Sequence, residues 1–509
     1  MSDPISTINY GYDQNANATS ITENDLTITR AYDHLNRVSL YKQNDNNFRG
    51  VNFLRDAAGN LEQVDYINDN GNQNLPIKYT YNELNLVTSV SALNQDFIAA
   101  EYEYDANQNV TKVIRGNGTV LVNTYNELNR LTSSIDTAPD GTVILEQHYT
   151  YNAIGQVTKE DITPEFAPPV ELLAEQVMTY SADNRIASKN SEIFDFDLDG
   201  NKLNVGDIEL DFNARNQLAS AGNHQYTYNA EGMRDTQTYS SESGDTTVRY
   251  SLLPDYLGLP QIAWQEVTHP DESIDQHFFI YSPYGLVSQR SNKANQTAQE
   301  YYFHYDYRGS VVAISDSSGN VVARYGYTPF GTRYDALEFA EQNQAITTPF
   351  GYNGRDGVIT DANGLIYMRA RYYSPELRRF VSKDPIRGDI SDLGSLNRYA
   401  YVGGDPVNHI DPSGLCLYTA EGSLSDRDQC EDTVTTAKIN KDQVEFISIV
   451  MEKSDNKYIK KTGSFLGKAV FVIEFNEALN SESPLIECSY LILKEAACGS
   501  ASIAASVAS

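Results

Sequence analysis

The chain has 509 residues, long enough for several domains, with a formal net charge of −31 and a pI near 4.5. So acidic a surface disfavours nucleic acid and anionic membranes as partners, because both select clustered Lys and Arg. No apolar run is long enough for a membrane-spanning helix, and the opening MSDPISTINYGYDQ lacks the basic start and apolar centre of a signal peptide.

Tyrosine occurs 36 times and tryptophan once, at Trp264, so tyrosine is expected to have a recurring role. From Ser6 to about Gly285 a pattern returns: Tyr-Asp or Tyr-Asn, two or three residues, Gly or Asn, one residue, then an aliphatic. Copies are AYDHLNRV (31–38), TYNELNLV (80–87), EYDANQNV (103–110), TYNELNRL (124–131), TYNAIGQV (150–157), TYSADNRI (179–186), DFDLDGNKL (195–203) and TYNAEGMR (227–234). Most neighbouring copies lie about 16 to 29 residues apart, a period that marks a repeat architecture. Within a copy, alternating residues such as Tyr79 and Tyr81, or Tyr102 and Tyr104, share one strand face. Asn or Asp followed by Gly or Asn supplies the positive φ of a tight turn, and the aliphatic residue starts the return strand. A lone hairpin is marginal, so copies must pair edge to edge. The expected product is a mainly β chain built on a long, curling antiparallel sheet.

DFDLDGNKLNVG also has the opening of a calcium loop at Asp195, Asp197, Asp199 and Gly200, but its twelfth position is Gly206 instead of a bidentate Glu. A repeat turn is the better reading, and neither a metal nor a cofactor is expected. Residues 240–247 and 335–348 lack alternation and read as loops or short helical insertions, with ALEFAEQNQ the strongest helix candidate.

The stretch 301–415 holds HYDYRGSV (304–311), ARYGYTPFG (323–331), PFGYNGR (349–355), LIYMRARYYSPELRRFVSKDPI (365–386) and DPSGL (411–415), in that order. With the YD copies, these runs resemble the RHS/YD-repeat family, which includes bacterial polymorphic toxins and the C components of insecticidal toxin complexes. The resemblance implies a spiralling antiparallel YD-repeat sheet forming a hollow shell, whole or partial, over residues 1–299. It further implies an RHS core domain with an autoprotease motif at 300–415, and a variable cargo or toxin domain at 416–509.

In Asp384-Pro385 and Asp411-Pro412 the proline fixes its own φ, removes a donor and extends the preceding aspartate, so both carboxylates are expected on stiff, exposed turns. Two carboxylates brought together share a proton, which leaves one acid and one base at neutral pH. Such a pair can activate water against a peptide carbonyl, or one carboxylate can attack it directly. In the family this motif is self-cleaving. Carried to this chain, the resemblance implies a dyad of Asp384 and Asp411, a single-turnover cut between Leu415 and Cys416, and motif support from Lys383, Pro385, Pro412, Gly414, Arg369 and Arg371.

The chain departs from the family pattern in having a few more residues between the aspartates and DPIRGD where DPxG is usual. The insertion either bulges without effect or moves Asp384 out of reach. Lys383 stands where relatives often carry Arg, which gives up any bidentate contact. Arg369, Arg371, Arg378 and Arg379 either hold the aspartates ionised or orient the cleavage loop, or else form a solvated basic strand face, the last expected for most of them. His409 reads as a surface or packing histidine. Cys416 offers a rival N-to-S acyl shift, disfavoured because the residue after the cut varies in the family.

The four cysteines, Cys416, Cys430, Cys488 and Cys498, all follow Leu415. Their spacing fits no zinc pattern, and two disulfides in an oxidising compartment compete with ordinary buried thiols as the reading. Past Leu415 tyrosine becomes sparse, and KDQVEFISIVMEK, SFLGKAVFVIEFNEAL and PLIECSYLILKEAA each fit a short helix or a strand. A small separate domain of α or α+β type is expected. It has no His and no Trp, which disfavours histidine-based metal nucleases, and its activity stays open.

The whole reads as a toxin-delivery protein, made in the cytoplasm and exported by a dedicated system, whose shell encloses and then releases its tail. Implied partners are a cognate immunity protein, a secretion or carrier component and a second shell subunit. The alternatives are a non-cleaving cell-surface or structural repeat protein, and a displaced fragment of a longer gene.

Overall fold

The computed structural model describes residues 7–24, 26–44, 48–68, 73–92, 97–164, 175–256, 258–294, 296–335, 346–386, 393–419, 464–465 and 468–469. The ALEFAEQNQ helix and the elements expected in the tail lie outside the described residues, apart from the strand pair Ser464–Phe465 with Lys468–Ala469.

The repeat motif has one local construction. In TYNELNLV, Asn82 N donates to Leu86 O and Asn85 N to Asn82 O, at 2.9 and 3.0 Å. The Asn82 side-chain oxygen accepts from the backbone N–H groups of Leu84 and Leu86, at 2.9 and 3.0 Å. Asn85 takes φ +60°, the left-handed conformation that Asn and Gly tolerate best. Tyr81 then pairs with Val87 across a shift in register after Thr80. Asp33, Asp105, Asn126 and Asn152 close their turns in the same way. Asp197 does so too, accepting from Asn201 N and Nδ2 at 2.7 and 2.8 Å, which makes DFDLDGNKL a repeat turn.

The tyrosine hydroxyl does a second job. Tyr32, Tyr81, Tyr125, Tyr151, Tyr228 and Tyr305 donate to the carbonyls of Ala18, Leu61, Val110, Leu131, Leu218 and Leu286, over 2.6–2.9 Å. Each acceptor lies at or next to the start of the preceding return strand, so each bond ties one hairpin to the hairpin before it. This is the recurring role that the tyrosine count announced.

Among the described residues, the hairpins assemble into two long antiparallel sheets. One has fourteen strands, from Ile8–Tyr12 to Val157–Thr163, and the other thirteen, from Asn204–Val205 to Arg333–Asp335. Both follow sequence order and neither closes into a barrel. A three-stranded sheet of Met178–Tyr180, Ile186–Lys189 and Glu192–Ile193 falls between them in sequence, so the expected single sheet is interrupted after Thr163. Pro164 follows that point, and proline cannot donate to a sheet ladder.

The long sheets face one another. Tyr41, Val64, Tyr66 and Ile77 from the first join Tyr250, Trp264, Phe279 and Ile314 from the second in one buried apolar core. Polar bonds cross the same interface: Tyr66 and Tyr79 hydroxyls donate to the carbonyls of Phe279 and Tyr281, at 2.7 and 3.0 Å, and Arg49 pairs with Asp235 at 2.9 Å.

Residues 240–247, expected as a loop or short helical insertion, are instead a hairpin: Arg234–Ser241 pairs with Gly244–Tyr256 around a two-residue turn. Gly244, at φ +116°, closes it. The alternation is masked because hydroxyl residues occupy one face, as where Thr238 and Thr247 meet at 3.1 Å.

Candidate active site

A small four-stranded sheet follows the long ones, formed by Ile359–Thr360, Ile366–Met368, Arg371–Ser374 and Arg379–Phe380. Asp361 locks it to the second long sheet: Arg234 Nη1 donates to both Asp361 oxygens, at 2.9 and 2.8 Å, and Arg234 also donates to the Tyr372 and Tyr250 hydroxyls, at 3.1 and 3.0 Å. The hairpin from Met368 to Arg371 turns through Arg369, which has φ +54°, and leaves Arg369 and Arg371 buried.

Arg371 is the centre of the site. Its Nη2 lies 2.8 Å from Asp384 Oδ2 and 3.6 Å from Asp411 Oδ2. Its Nη1 donates to Arg398 O at 3.2 Å and its Nε to Gly414 O, and the guanidinium stands 3.6 Å over the Phe380 ring. One arginine thus gathers both aspartates, and the added residues between them leave Asp384 in reach.

Asp411 Oδ1 accepts three hydrogen bonds: from Ser413 Oγ at 2.9 Å and from the backbone N–H groups of Leu415 and Cys416, each at 3.0 Å. This oxygen therefore rests on the nitrogen of the Leu415–Cys416 peptide bond. Burial raises the Asp411 pKa above its ordinary value, opposed by Arg371 and by these donors. Burial also raises Asp384, opposed by Arg371 and by the Ile386 amide, which donates to Oδ1 at 2.8 Å. Arg371 is lowered by burial, against the pull of the two aspartates.

Two expectations are corrected here. The aspartates do not sit on exposed turns: Asp411 is 4% exposed, and the Asp384 side chain is 16% exposed. The prolines stiffen the turns, but a buried guanidinium requires anions beside it and draws both turns inward. Arg369 and Arg371 are likewise no solvated face. Arg369 donates to the carbonyls of Pro260 and Asp356, at 2.8 and 2.9 Å, and to that of Pro412. Arg378 is exposed over Phe330, and the half-buried Arg379 reaches Asn184 O at 3.0 Å.

Gly414 has φ +71°, and a Cβ there would meet Met368 O at 2.2 Å, so the DPSGL turn closes against the arginine hairpin only with glycine. Ser413 O accepts from Ala370 N at 3.1 Å and completes that contact. Pro412 is buried, Pro385 exposed, and Lys383 half-buried beside the Gly200 turn. His409 packs with its Nδ1 3.6 Å from Asp405 Oδ2. Cys416 is buried, whereas Cys430, Cys488 and Cys498 lie outside the described residues. Sequence reasoning missed Ser413, Asp361 and Arg398. The alternating run NRYAYV between the aspartates was the signal available for Arg398.

Stacked YD hairpins leading to a small sheet, with a buried arginine that gathers two Asp-Pro aspartates, define an RHS/YD-repeat, toxin-like protein. The chain belongs to the Teneurin YD-shell family, whose model matches residues 3–166 and 289–407. It is 27% identical over 299 residues to the tRNA3(Ser)-specific nuclease WapA of Bacillus spizizenii, covering 57% of this chain and 12% of that protein. It is 32% identical over 116 residues to the toxin protein Tse5 of Pseudomonas aeruginosa, covering 23% of this chain and 8% of that one. In fold it is similar to the solved TcdB2-TccC3 structure, with a TM-score of 0.61 and 15% identity over 81% of this chain and 26% of the other. The matched segments thus span 12% or less of each of these two relatives.

Proposed function

We propose that this chain is a toxin-delivery protein that severs itself between Leu415 and Cys416, parting the YD-repeat shell and core domain from an effector domain at 416–509. The observation that carries this reading is Asp411 Oδ1, 3.0 Å from the nitrogen of that bond, with Asp384 held beside it on the same arginine. Asp384, ionised, takes a proton from water as the water oxygen adds to the Leu415 carbonyl. Asp411, protonated, then gives its proton to the Cys416 nitrogen as the C–N bond breaks, leaving a carboxyl group on Leu415 and an amine on Cys416. Burial favours protonation of both carboxylates, and Arg371 between them favours keeping one as the anion. At rest the Cys416 N–H donates to Asp411, so the cutting form is the one in which Asp411 has gained a proton.

The relatives named as a toxin and as a nuclease support a released effector, and with it a cognate immunity protein and an export or carrier component. The likeness to TcdB2-TccC3 supports a partner subunit that completes the shell. A second reading, a YD-repeat protein that keeps its tail, is favoured by the three donors on Asp411 Oδ1, which make a stable turn as they stand.

Intact mass under denaturing conditions separates the two, for wild type, Asp384→Asn, Asp411→Asn and Cys416→Ala. The expected result is two products that meet at Leu415 and Cys416, lost in both aspartate variants and kept in Cys416→Ala. A single uncut chain in the wild type refutes self-cleavage and leaves the second reading.

A further inference from the structure

Asp384 stays on Arg371 although the stretch between the aspartates is longer than the family motif implies. The Asp384 side chain alone does not explain this, because one ion pair leaves the backbone of a lengthened loop free to move. The backbone contacts supply the explanation. Asp384 N donates to Arg398 O at 2.9 Å. The Arg398 side chain donates back to Asp384 O, through Nε at 2.7 Å and through Nη2. The Arg398 carbonyl also accepts from Arg371 Nη1, so one residue binds the aspartate's backbone from both directions and the central arginine as well. The neighbouring residues continue the contact: Phe380 N donates to Tyr399 O at 3.1 Å, and Arg379 forms an antiparallel bridge with Ala400. Once its two ends are tied, a loop gains length at little entropic cost.

We propose that Arg398 is a positioning residue of the self-cleavage site, closing the base of the loop between the two aspartates and so holding Asp384 against Arg371 whatever the loop's length. The inference rests on the self-cleavage reading above. Asp384 is faced by Arg371 and Arg398, by Asp411 across Arg371, and along the chain by Lys383.

The test is cell-free synthesis of the full chain, stopped at intervals and read by intact mass at several pH values, for wild type, Arg398→Ala, Arg398→Lys and Lys112→Ala. Arg398→Ala is expected to slow scission by roughly 10- to 100-fold, as a misplacement of about 1 Å does. It also moves the acidic limb of the rate profile to higher pH, because Asp384 loses a nearby cation and holds its proton more tightly. A purely structural role would not move that limb. Arg398→Lys recovers part of the rate, since the ammonium keeps the charge but loses the fork, and Lys112→Ala, at an exposed pair with Glu103 on the first long sheet, leaves both readouts as in the wild type. Trp264 emission reports whether each variant folds.

Wild-type rate and limb in Arg398→Ala overturn the proposal. If the wild type itself stays uncut, the self-cleavage reading falls, and hydrogen exchange over 380–386 decides on the clamp. Faster exchange in Arg398→Ala than in wild type supports it, and equal exchange overturns it.

Discussion

Replacing Asp361 by asparagine tests whether one buried ion pair holds the small sheet that carries Arg369 and Arg371. The side chains of Asp361 and Arg234 are each 1% exposed. Arg234 Nη1 donates to both carboxylate oxygens, at 2.9 and 2.8 Å. The guanidinium also lies over the rings of Tyr226, Tyr250 and Tyr367, at 5.5, 4.8 and 4.7 Å, and those contacts survive the substitution. Removing one member of a buried pair costs about 3–5 kcal/mol, because the remaining charge is left uncompensated. The amide oxygen of asparagine still accepts one bond, which places the expected loss near the lower end, about 3 kcal/mol. In the double variant Arg234→Met/Asp361→Leu no charge is stranded, and stability returns to within about 1 kcal/mol of the wild type. Urea unfolding followed by Trp264 emission measures both, since this single tryptophan is fully buried in the core. A loss under about 1 kcal/mol in Asp361→Asn, or a double variant less stable than the single one, refutes the reasoning.

Three further outcomes are expected. Burial raises the Asp136 carboxyl, but Arg115 at 2.9 Å and His304 at 2.7 Å outweigh it and hold the group well below the usual carboxylate range. Its folded value lies below the unfolded one, so its stabilisation is present above about pH 4 and is lost as pH falls through the folded value; acid unfolding should be steeper in the wild type than in Asp136→Asn, and equal slopes contradict this. Tyr81→Phe and Tyr151→Phe each remove one bond between hairpins and should each cost about 0.5–1.5 kcal/mol in urea unfolding, with the two losses adding because the sites are far apart. Gly414→Ala forces a side chain against Met368 O at φ +71° and is expected to leave the chain uncut by intact mass; efficient cutting in that variant argues against the DPSGL turn as the cleavage geometry.

The hairpins were legible because their causes are local. A side chain that caps its own turn, a residue at positive φ three places on and an aliphatic that opens the return strand all lie within eight letters, as in TYNELNLV. The aspartate pair was legible as well, through the two Asp-Pro dipeptides and the DPSGL run. The hairpin at 240–247 was not, since Thr and Ser on a strand face carry no apolar period to read.

The sequence alone settled the repeat and the mainly β class and pointed to the two aspartates as candidates, all of which follow from contacts between residues near in the chain or from letters in a fixed order. Their burial, the choice of Arg371 out of four neighbouring arginines, and the tie from Arg398 to Asp384 came from the folded chain. Each depends on which charge is removed from water, and that is set by segments far apart in sequence. An arginine on a strand reads the same whether water or two carboxylates solvate it, and only the packing of the small sheet against the DPSGL turn makes the difference.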